Sequence, residues 1–398
     1  MEQPPLLSAA ASMISPPPVA GSSGPGSIVF GSGVPDPALY PRESLEREIV
    51  RVLRDPRVDL GYSRGIGQPA LCAAVADRLN LRSGSALIGE DVAVTGGASG
   101  ALIAVAAAVL DPGDVVVCER YTYPAAVETF RHRGAEVVGV PTDADGPDVA
   151  AIEATLGELA ARGARAKALY TIAPFQSPTT ATLSTERAAA LVALAERHDL
   201  LVLVDDTYGE IAFGERSPLP TVLMTSPRVV HLGSFSKTLA PALRLGWVAG
   251  NRSVVEAIGA MRTDLGVALI VQEAVARLIG SGEYATTVAA ASAHYLRKRD
   301  VLMEVLDAGC GGAATWRVPE GSFFLWLETE PPVERIAAAA QDLGVGFIPG
   351  AVFAVDGADR HHLRLAFGFV GLGTLAEGAD RIARSVVHAG RGAVGVTR

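Results

Sequence analysis

The chain has 398 residues, a length that corresponds to roughly two or three domains. Hydrophobic residues make up 49% and charged residues 19%, a composition that indicates a globular protein with a large core and excludes a mainly disordered chain. Acidic residues outnumber basic ones 43 to 34, which argues against nucleic acid or an anionic membrane surface as the main partner. Only three of the basic residues are lysines, namely Lys167, Lys237 and Lys298, so chemistry that needs an amine has three candidates.

The cysteines, histidines and apolar runs predict a cytoplasmic protein without a metal site. The cysteines (Cys72, Cys118 and Cys310) lie far apart and form no CxxC motif, so we expect neither a disulfide framework nor a thiolate metal site. The adjacent His361 and His362 cannot chelate together, because neighbours in an extended segment point to opposite faces. The longest apolar run, at 101–110, is about half of the roughly 20 residues of a membrane helix, and no basic stretch marks a secretory signal.

Residues 1–27 are rich in Pro, Ser, Ala and Gly, a composition that favours a flexible N-terminal arm. From about residue 90, short β-branched runs alternate with longer stretches of helical character. Continuously apolar strands separated by helices are typical of an α/β fold with a mostly parallel sheet covered on both faces. Seven strands are predicted at 92–96, 115–119, 136–140, 167–172, 200–206, 228–234 and 245–250, with helices at 69–81, 98–110, 123–133, 148–162 and 184–197.

The pattern changes after residue 250. Long helices are predicted over 253–308, and residues 314–398 combine short strands with two helices, which indicates a smaller α+β domain. We therefore expect an N-terminal segment over 28–60 that joins the small domain, a large domain over 61–265, and an interdomain helix with the small domain over 266–398. A ligand is expected in the cleft between two such domains.

A lysine with phosphate-binding neighbours follows the strand predicted at 228–234. The sequence GSFSKTLAPALRLGW surrounds Lys237 with Ser234, Ser236 and Arg244. Hydroxyl groups and a planar guanidinium suit a phosphate group. A lysine beside the phosphate of an organic cofactor suggests a Schiff base. The alternative is a surface lysine on a polar loop, which the apolar flanking strands disfavour.

Polar side chains also follow other predicted strands. Asp205, Asp206 and Tyr208 come after LLVLV, and a carboxylate at the end of a parallel strand points into the crevice where ligands bind. Beside a pyridine nitrogen it would keep that nitrogen protonated, although an acid pair that caps the next turn is the alternative. The Gly-rich turn at 95–100 offers backbone N–H groups to an anion, and Tyr121 and Tyr123 could cover a planar ring.

Together these residues resemble the pyridoxal-phosphate-dependent enzymes of fold type I, in the class I/II aminotransferase family, close to its aminoadipate and valine-type branch. The resemblance covers about residues 28–390 and rests on SxSK, on an arginine seven residues after the lysine, and on DDxY. It implies pyridoxal 5′-phosphate as the cofactor, and amino acids and 2-oxo acids as the substrates.

The resemblance also implies roles for the matching residues. Lys237 would form the Schiff base and move protons, Asp205 would pair with the pyridine nitrogen, and Tyr208 would hydrogen-bond the ring hydroxyl. Arg364, in HLRLAFGF, would bind the substrate α-carboxylate through two parallel hydrogen bonds. The phosphate would be held by Ala98, Ser99, Ser234, Ser236 and Arg244.

Three further positions match the family at the rim of the site. Tyr123, in ERYTYP, would stack on the cofactor ring, and Gly33, in FGSGVPDP, would line the substrate site. Tyr62, in GYSRGIGQPAL, would reach the phosphate bound by a neighbouring subunit, which predicts a homodimer.

One segment departs from the family pattern. Ser177-Pro178-Thr179-Thr180 stands where the family has Asn-Pro-x-Gly, and that asparagine donates to the cofactor's ring oxygen. Ser177 is shorter and would reach the same oxygen through a water molecule, and loss of the glycine is expected to alter the turn. Two interpretations stay open: a neutral replacement with a bridging water, or an enzyme that uses the substrate carbanion for something other than transamination.

The favoured function is therefore an aminotransferase that works between an amino acid and a 2-oxo acid. The alternative uses the same cofactor and site for elimination, replacement, cyclisation or oxidation of an amino acid. Regulators with a DNA-binding domain ahead of this fold are disfavoured by the short N-terminal arm and the negative charge. A dehydrogenase is disfavoured because GxGxxA at 65–70 follows a polar, Pro-broken segment instead of a buried strand.

The remaining basic residues near these motifs are expected to play minor parts. Lys167 begins a predicted buried strand, and Lys298 lies in the run LRKR, for which a solvated helix face is expected. Arg64 and Arg120 are extra cations near predicted site segments, where each would either meet an acidic group of the substrate or lie on the surface.

Overall fold

The computed structural model describes residues 19–62, 65–214, 219–261 and 266–391. The strands are β1 (Ala20–Gly21), β2 (Ile28–Phe30), β3 (Val92–Thr95), β4 (Val115–Glu119), β5 (Glu136–Val140), β6 (Thr142–Asp143), β7 (Gly146–Pro147), β8 (Ala166–Ile172), β9 (Leu201–Asp205), β10 (Val229–Ser234), β11 (Gly246–Gly250), β12 (Ala314–Trp316), β13 (Phe324–Thr329), β14 (Val345–Pro349) and β15 (His362–Ala366). The helices are α1 (Arg42–Arg54), α2 (Pro69–Ser83), α3 (Gly97–Val109), α4 (Pro124–His132), α5 (Val149–Ala161), α6 (Thr185–His198), α7 (Thr221–Thr225), α8 (Arg252–Met261), α9 (Leu269–Gly280), α10 (Glu283–Gly309), α11 (Val333–Leu343) and α12 (Leu372–Arg391).

The large sheet has seven strands in the order β3-β11-β10-β9-β8-β4-β5. Neighbouring strands from β10 to β5 are parallel, whereas β11 runs antiparallel to both β10 and β3. The α/β class and the mostly parallel seven-stranded sheet predicted from the sequence are thereby confirmed. Each strand begins and ends within one residue of its predicted bounds, because each is a short β-branched run between helical stretches.

Alternate side chains of the large sheet enter two separate apolar cores, because successive residues of a strand point to opposite faces. Along β3, Val92 and Val94 enter one core and Ala93 enters the other. The first core is covered by α2, α5 and α6 through Leu71, Ile152 and Leu191, and the second by α3, α4 and α8 through Leu102, Phe130 and Val255.

The helices that cover the sheet begin where local chemistry favours a start. Asp148 caps α5, since its Oδ1 accepts from the backbone N–H groups of the first turn, and Ser184 caps α6 in the same way. Pro69 and Pro124 are the first residues of α2 and α4, positions where the missing N–H of proline breaks no hydrogen bond.

The smaller sheet has the order β1-β14-β15-β13-β12, with β2 paired in parallel to β14. Residues of α10, α11 and α12 share its apolar core. The N-terminal arm predicted over 1–27 is wrong in its last part. Ala20–Gly21 pair with Phe347 and Gly346 of β14, because an edge strand offers unpaired backbone groups, and residues 1–18 lie outside the described residues.

Residues 101–109 of the apolar run lie in α3, a helix of 13 residues, and Leu110 is its C-cap. None of the helices in the described ranges combines the length and the apolar character needed to cross a membrane.

Candidate functional site

Several predicted site residues lie at the edge of the large sheet where its parallel strands end. Thr95, Asp205 and Ser234 are the last residues of β3, β9 and β10. Gly246, the first residue of β11, pairs with both Thr95 and Ser234. Since ligands of open α/β sheets bind outside the carboxyl ends of the strands, this edge is the candidate site.

The start of α3 supplies backbone donors at this edge. The helix begins at Gly97, and Gly96 before it offers no side-chain cap, so the N–H groups of Ala98 and Ser99 have no intrahelical acceptor. Gly97 has φ of +78°, and a Cβ there would lie 3.1 Å from Nη2 of Arg244. The backbone conformation therefore favours glycine, and a Cβ there would also crowd the arginine.

The loop after β10 adds side-chain donors. The hydroxyl oxygens of Ser234 and Ser236 lie 2.9 Å apart. Arg244 Nη2 donates to Gly96 O at 3.2 Å, which holds the guanidinium beside the start of α3. Two hydroxyls, a guanidinium and free helix N–H groups together form a donor set suited to a phosphate dianion.

Lys237 projects from the same loop into a largely buried position. Its Nζ donates to Gly33 O at 2.6 Å and lies 5.6 Å from the ring centroid of Tyr208. Burial, together with the positive charges of Arg364 and Arg244, lowers the pKa of Lys237 to about 8. An amine with this pKa is partly neutral near neutral pH, so it can attack a carbonyl carbon or accept a proton.

Two hydrogen bonds hold the carboxylate of Asp205. Its Oδ2 accepts from the Tyr170 hydroxyl at 2.8 Å and its Oδ1 accepts from Thr207 N at 3.0 Å. Burial raises the pKa of Asp205, while these hydrogen bonds and the charge of Lys237 oppose that rise. A carboxylate fixed in this way can pair with a protonated ring nitrogen.

Asp206, the second acid of the pair, belongs to a different contact. Its Oδ1 and Oδ2 accept from Nη2 and Nη1 of Arg82 at 2.9 and 2.5 Å, and both side chains are buried. A Cβ at Gly209 would lie 1.9 Å from Asp206 Oδ1, so glycine is needed beside this ion pair. The pair of acids is therefore divided between the candidate site and a structural ion pair.

Two tyrosines border the site. The Tyr208 ring packs edge-on against Phe324, with centroids 5.2 Å apart, and burial raises the pKa of Tyr208 well above its ordinary value. Burial and the Asp205 carboxylate raise the pKa of Tyr123, which a hydrogen bond to Ser99 opposes. Tyr123 therefore lies near both the start of α3 and Asp205.

Arg364, on β15 of the smaller sheet, faces the same site. Its guanidinium carbon lies 4.3 Å from the Phe324 ring centroid and 4.6 Å from that of Phe353, and Nη2 donates to Gly31 O at 2.9 Å. Burial lowers the pKa of Arg364 to about 10. Its buried Nε has no hydrogen-bond partner among the described residues. A buried donor of this kind is available to an incoming carboxylate.

The segment that departs from the family pattern is buried and tightly turned. Ser177 is 4% exposed, and within the described residues its hydroxyl makes no hydrogen bond. Gln176 Oε1 accepts from both the backbone N–H and the hydroxyl of Thr179, at 2.8 and 2.7 Å. Thr180 has φ of +62°, so the position of the family's glycine keeps a glycine-like conformation with a β-branched residue.

The remaining predicted residues lie apart from this cluster. Tyr62 is 72% exposed, so its ring does not line the site of its own chain. Arg120 donates to Asp356 Oδ2 at 3.2 Å and to Ala358 O at 2.8 Å, in the segment between β14 and β15 of the smaller sheet. Arg64 lies outside the described residues.

The predicted solvated face for Lys298 is wrong. The side chain is fully buried, and Nζ donates to Asp36 Oδ2 at 2.6 Å and to Gly368 O at 2.8 Å. Its partner lies 262 residues earlier in the chain, so no local pattern reveals the pair. Lys167 is exposed although its strand is buried. Of the three lysines, Lys237 is the one that lies among Arg364, Asp205 and Arg244.

Tyr170 and Glu119 were not predicted. Tyr170 is a single polar aromatic residue in an apolar strand adjacent to β9, a signal that could have linked it to Asp205. Glu119 ends β4 as Asp205 ends β9, and its Oε1 accepts from the Thr171 hydroxyl at 2.5 Å and from Ile172 N at 3.2 Å. Burial raises the pKa of Glu119 to about 7 against these hydrogen bonds.

Comparison with known proteins gives matches over most of the chain. A family model described as aminotransferase class I and II matches residues 28–382. A 2-aminoadipate transaminase from Thermus thermophilus is 30% identical over 91% of this chain and 90% of that protein. An uncharacterised HTH-type transcriptional regulator, YisV, from Bacillus subtilis is 30% identical over 90% of this chain and 73% of that protein. The crystal structure of a multiple-substrate aminotransferase from Thermococcus profundus has a TM-score of 0.89 at 27% identity, covering 97% of this chain and 98% of that one.

The sheet, the buried lysine and the donor set at one edge define an enzyme of the fold type I, pyridoxal-phosphate-dependent class. The chain belongs to the aminotransferase class I and II family. Its function is transamination between an amino acid and a 2-oxo acid, as its aminotransferase relatives and structural neighbours support. They do not favour elimination, replacement, cyclisation or oxidation.

Proposed function

We propose that this aminotransferase holds pyridoxal phosphate at the carboxyl edge of the large sheet, with Lys237 as the catalytic amine and Arg364 as the receptor of the substrate α-carboxylate. The observation that carries the proposal is that Lys237 and Arg364 donate to Gly33 O and Gly31 O of one loop, at the sheet edge where Asp205 ends β9. When bound, pyridoxal phosphate supplies an electron sink for the negative charge that develops at the substrate's Cα.

The residues present fit this group. Ser99, Ser234, Ser236 and Arg244, with the backbone N–H groups of Ala98 and Ser99, would hold the phosphate. Asp205 would pair with the pyridine nitrogen, and the hydrogen bond from Tyr170 would keep its carboxylate oriented. Tyr208 would bond the ring oxygen beside Ser177, and Tyr123 would lie over the ring.

Lys237 would do the proton work of the reaction. Its lowered pKa of about 8 makes the amine a base of moderate strength under ordinary conditions. A base with a pKa near the working pH combines a useful neutral fraction with enough driving force for proton transfer. Lys237 would take the proton from the substrate's Cα and return it at the position where the amino group is received or released.

Arg364 would fix the substrate for that proton transfer. Gly31 O accepts one hydrogen of Nη2, so Nε–H, the Nη1 hydrogens and the second hydrogen of Nη2 remain as donors for the carboxylate. The rings of Phe324 and Phe353 pack against the guanidinium and help to exclude water from it. In this dry setting a charge-assisted, two-point contact binds more strongly than it would in water.

The assembly and domain division remain predictions. The exposed ring of Tyr62 supports a homodimer in which it reaches the phosphate site of a second copy. The pairing of β2 with β14 supports assigning the segment from residue 28 to the small domain. A cytoplasmic location also remains a prediction.

Incubation of the cofactor-loaded enzyme with single amino acids, without any oxo acid, tests the proposal. Transamination predicts release of one 2-oxo acid per bound cofactor, followed by arrest until an oxo acid is added. The Lys237→Ala variant is expected to release none. Continuous release of ammonia, peroxide or a side-chain fragment by the wild-type enzyme would contradict the proposal.

A further inference from the structure

The carboxylate and the N–H of Asp36, which lies just before the 3₁₀ turn Pro37–Leu39, make four hydrogen bonds. Its Oδ2 accepts from Lys298 Nζ at 2.6 Å and lies 2.9 Å from Nε2 of His294, while its Oδ1 accepts from Ala38 N at 3.0 Å. Its own N–H donates to the hydroxyl of Tyr295 at 2.9 Å. Three side chains of α10 therefore contact one residue of the N-terminal segment.

Lys298 is fully buried, and transamination as described above does not use it. Burial lowers the pKa of Lys298, while the hydrogen bond and the charge of Asp36 oppose that effect. Burial would raise the pKa of Asp36, but the hydrogen bonds from Lys298, Ala38 and His294 hold it below its ordinary value. A buried ammonium needs such a partner, since an unpaired one is strongly destabilising.

Asp36 ends a short loop that crosses the candidate site. At the other end of the loop, β2 is tied to β14 by parallel pairing up to Phe30. Between the two ends, Gly31 O accepts from Arg364 Nη2 at 2.9 Å and Gly33 O accepts from Lys237 Nζ at 2.6 Å. Residues 32–35 make no backbone-to-backbone hydrogen bond with the described residues, so the position of the loop depends on its two ends and on these side-chain contacts.

Lys298 also connects the loop to Gly368, which packs against the loop backbone. Lys298 Nζ donates to Gly368 O, and a Cβ at Gly368 would lie 2.7 Å from Val34 O. Only glycine allows the loop backbone to approach this closely. The loop is thus held at Asp36 between α10 and residue 368, three residues after the carbonyl that contacts Lys237 and five after the one that contacts Arg364.

We propose that Asp36 and Lys298 are positioning residues for substrate binding: their ion pair fixes the N-terminal loop so that Gly31 O orients Arg364 toward the substrate carboxylate. The inference rests on the proposed role of Arg364. Without the ion pair the loop loses its anchor at Asp36 and keeps the one at Phe30, so the backbone between them, Gly31 O included, holds its partners less firmly. Substrate binding then includes the cost of ordering both groups, which raises KM more than it lowers kcat.

The test compares Lys298→Met with the double variant Asp36→Asn/Lys298→Met, which removes both charges and so avoids a lone buried carboxylate. Each is expected to raise KM for the amino acid about tenfold, the effect of losing one hydrogen bond to a charged group, with kcat within about threefold. Tyr295→Phe, which removes only the hydroxyl that accepts from Asp36 N, is expected to shift KM in the same direction by less.

A second readout does not depend on turnover. Hydrogen–deuterium exchange of the peptide over residues 28–36 is expected to be faster in the variants, with and without cofactor, because one anchor of the loop is lost. The dissociation constant for pyridoxal phosphate is expected to stay within about threefold of wild type, since the phosphate donors lie elsewhere in the site.

Glu48→Gln is a matched control, because it also removes a buried carboxylate from an ion pair. Glu48 lies on α1, away from the loop, and pairs with two arginines. Its KM and its exchange at 28–36 are expected to stay at wild-type values. Unchanged KM in the double variant, or equal changes in the double variant and in Glu48→Gln, would overturn the inference. Arg364→Met separates the two proposals. An unchanged KM in Arg364→Met would contradict the carboxylate role itself. A KM that is raised in Arg364→Met but unchanged in the variants at Asp36 and Lys298 would contradict only the positioning role.

Discussion

The lowered pKa of Lys237 predicts that this residue destabilises the cofactor-free protein. Burial disfavours the ammonium form, and the charges of Arg364 and Arg244 add to that effect. Replacing the lysine by methionine keeps a side chain of similar length and removes the charge. We therefore expect cofactor-free Lys237→Met to be more stable than wild type at pH 7, although it is inactive.

The size of the effect follows from the difference between the ordinary pKa of 10.5 and the folded value of about 8. At pH 7 the lysine is mainly protonated in both the folded and the unfolded state. The full difference in pKa therefore lowers the free energy of unfolding, by about 3 kcal/mol. Between pH 8 and 10.5 the folded amine loses its proton while the unfolded one keeps it, so wild-type stability rises with pH. Above 10.5 both forms are neutral, and the difference disappears.

Urea unfolding of the two cofactor-free proteins at pH 7 and pH 10, followed by tryptophan fluorescence, measures this difference. The advantage of Lys237→Met is expected to shrink by about 2 kcal/mol between the two pH values. The lost hydrogen bond to Gly33 shifts the variant at both pH values and so drops out of the comparison. Lys167→Met is the control at an exposed lysine. Parallel pH dependence of wild type and Lys237→Met would refute the reasoning.

Three further variants test other parts of the site. Tyr170→Phe removes a donor to Asp205, so we expect kcat to fall about tenfold with unchanged cofactor affinity; unchanged kcat would contradict the role of Tyr170. Arg244→Met is expected to raise the dissociation constant of pyridoxal phosphate about tenfold to a hundredfold in a fluorescence titration, and a smaller change would place the phosphate elsewhere. Glu119 has a pKa raised to about 7, so it is expected to lower wild-type stability by about 3 kcal/mol as the pH rises from 4.5 to 7. Glu119→Gln should abolish this loss, and the same pH dependence of melting in wild type and variant would contradict the prediction.

The large sheet and much of the candidate site follow from local sequence because their signals are local. Most strands of the large sheet are short apolar runs that the fold buries, and β3, β4, β9 and β10 end in a polar residue. Asp205, Ser234 and Lys237 were found in this way, since each lies at or just after a strand end. The resemblance then connected them to Arg364, which lies on another sheet.

What the sequence did not reveal depends on contacts between distant segments. Lys298 looks like part of a charged helix surface in LRKR, and only its distant partner Asp36 explains its burial. Tyr170 looks like an ordinary strand residue until β9 lies beside it. The pairing of Ala20–Gly21 with β14 likewise depends on an edge strand more than 300 residues away.

Reduction of the cofactor-loaded enzyme with borohydride, followed by peptide mass spectrometry, tests the central claim most directly. The phosphopyridoxyl label is expected on the peptide that contains Lys237, and Lys237→Ala is expected to retain no label. A label on Lys167 or Lys298, or labelling that persists in Lys237→Ala, would contradict the assignment of Lys237 as the catalytic amine.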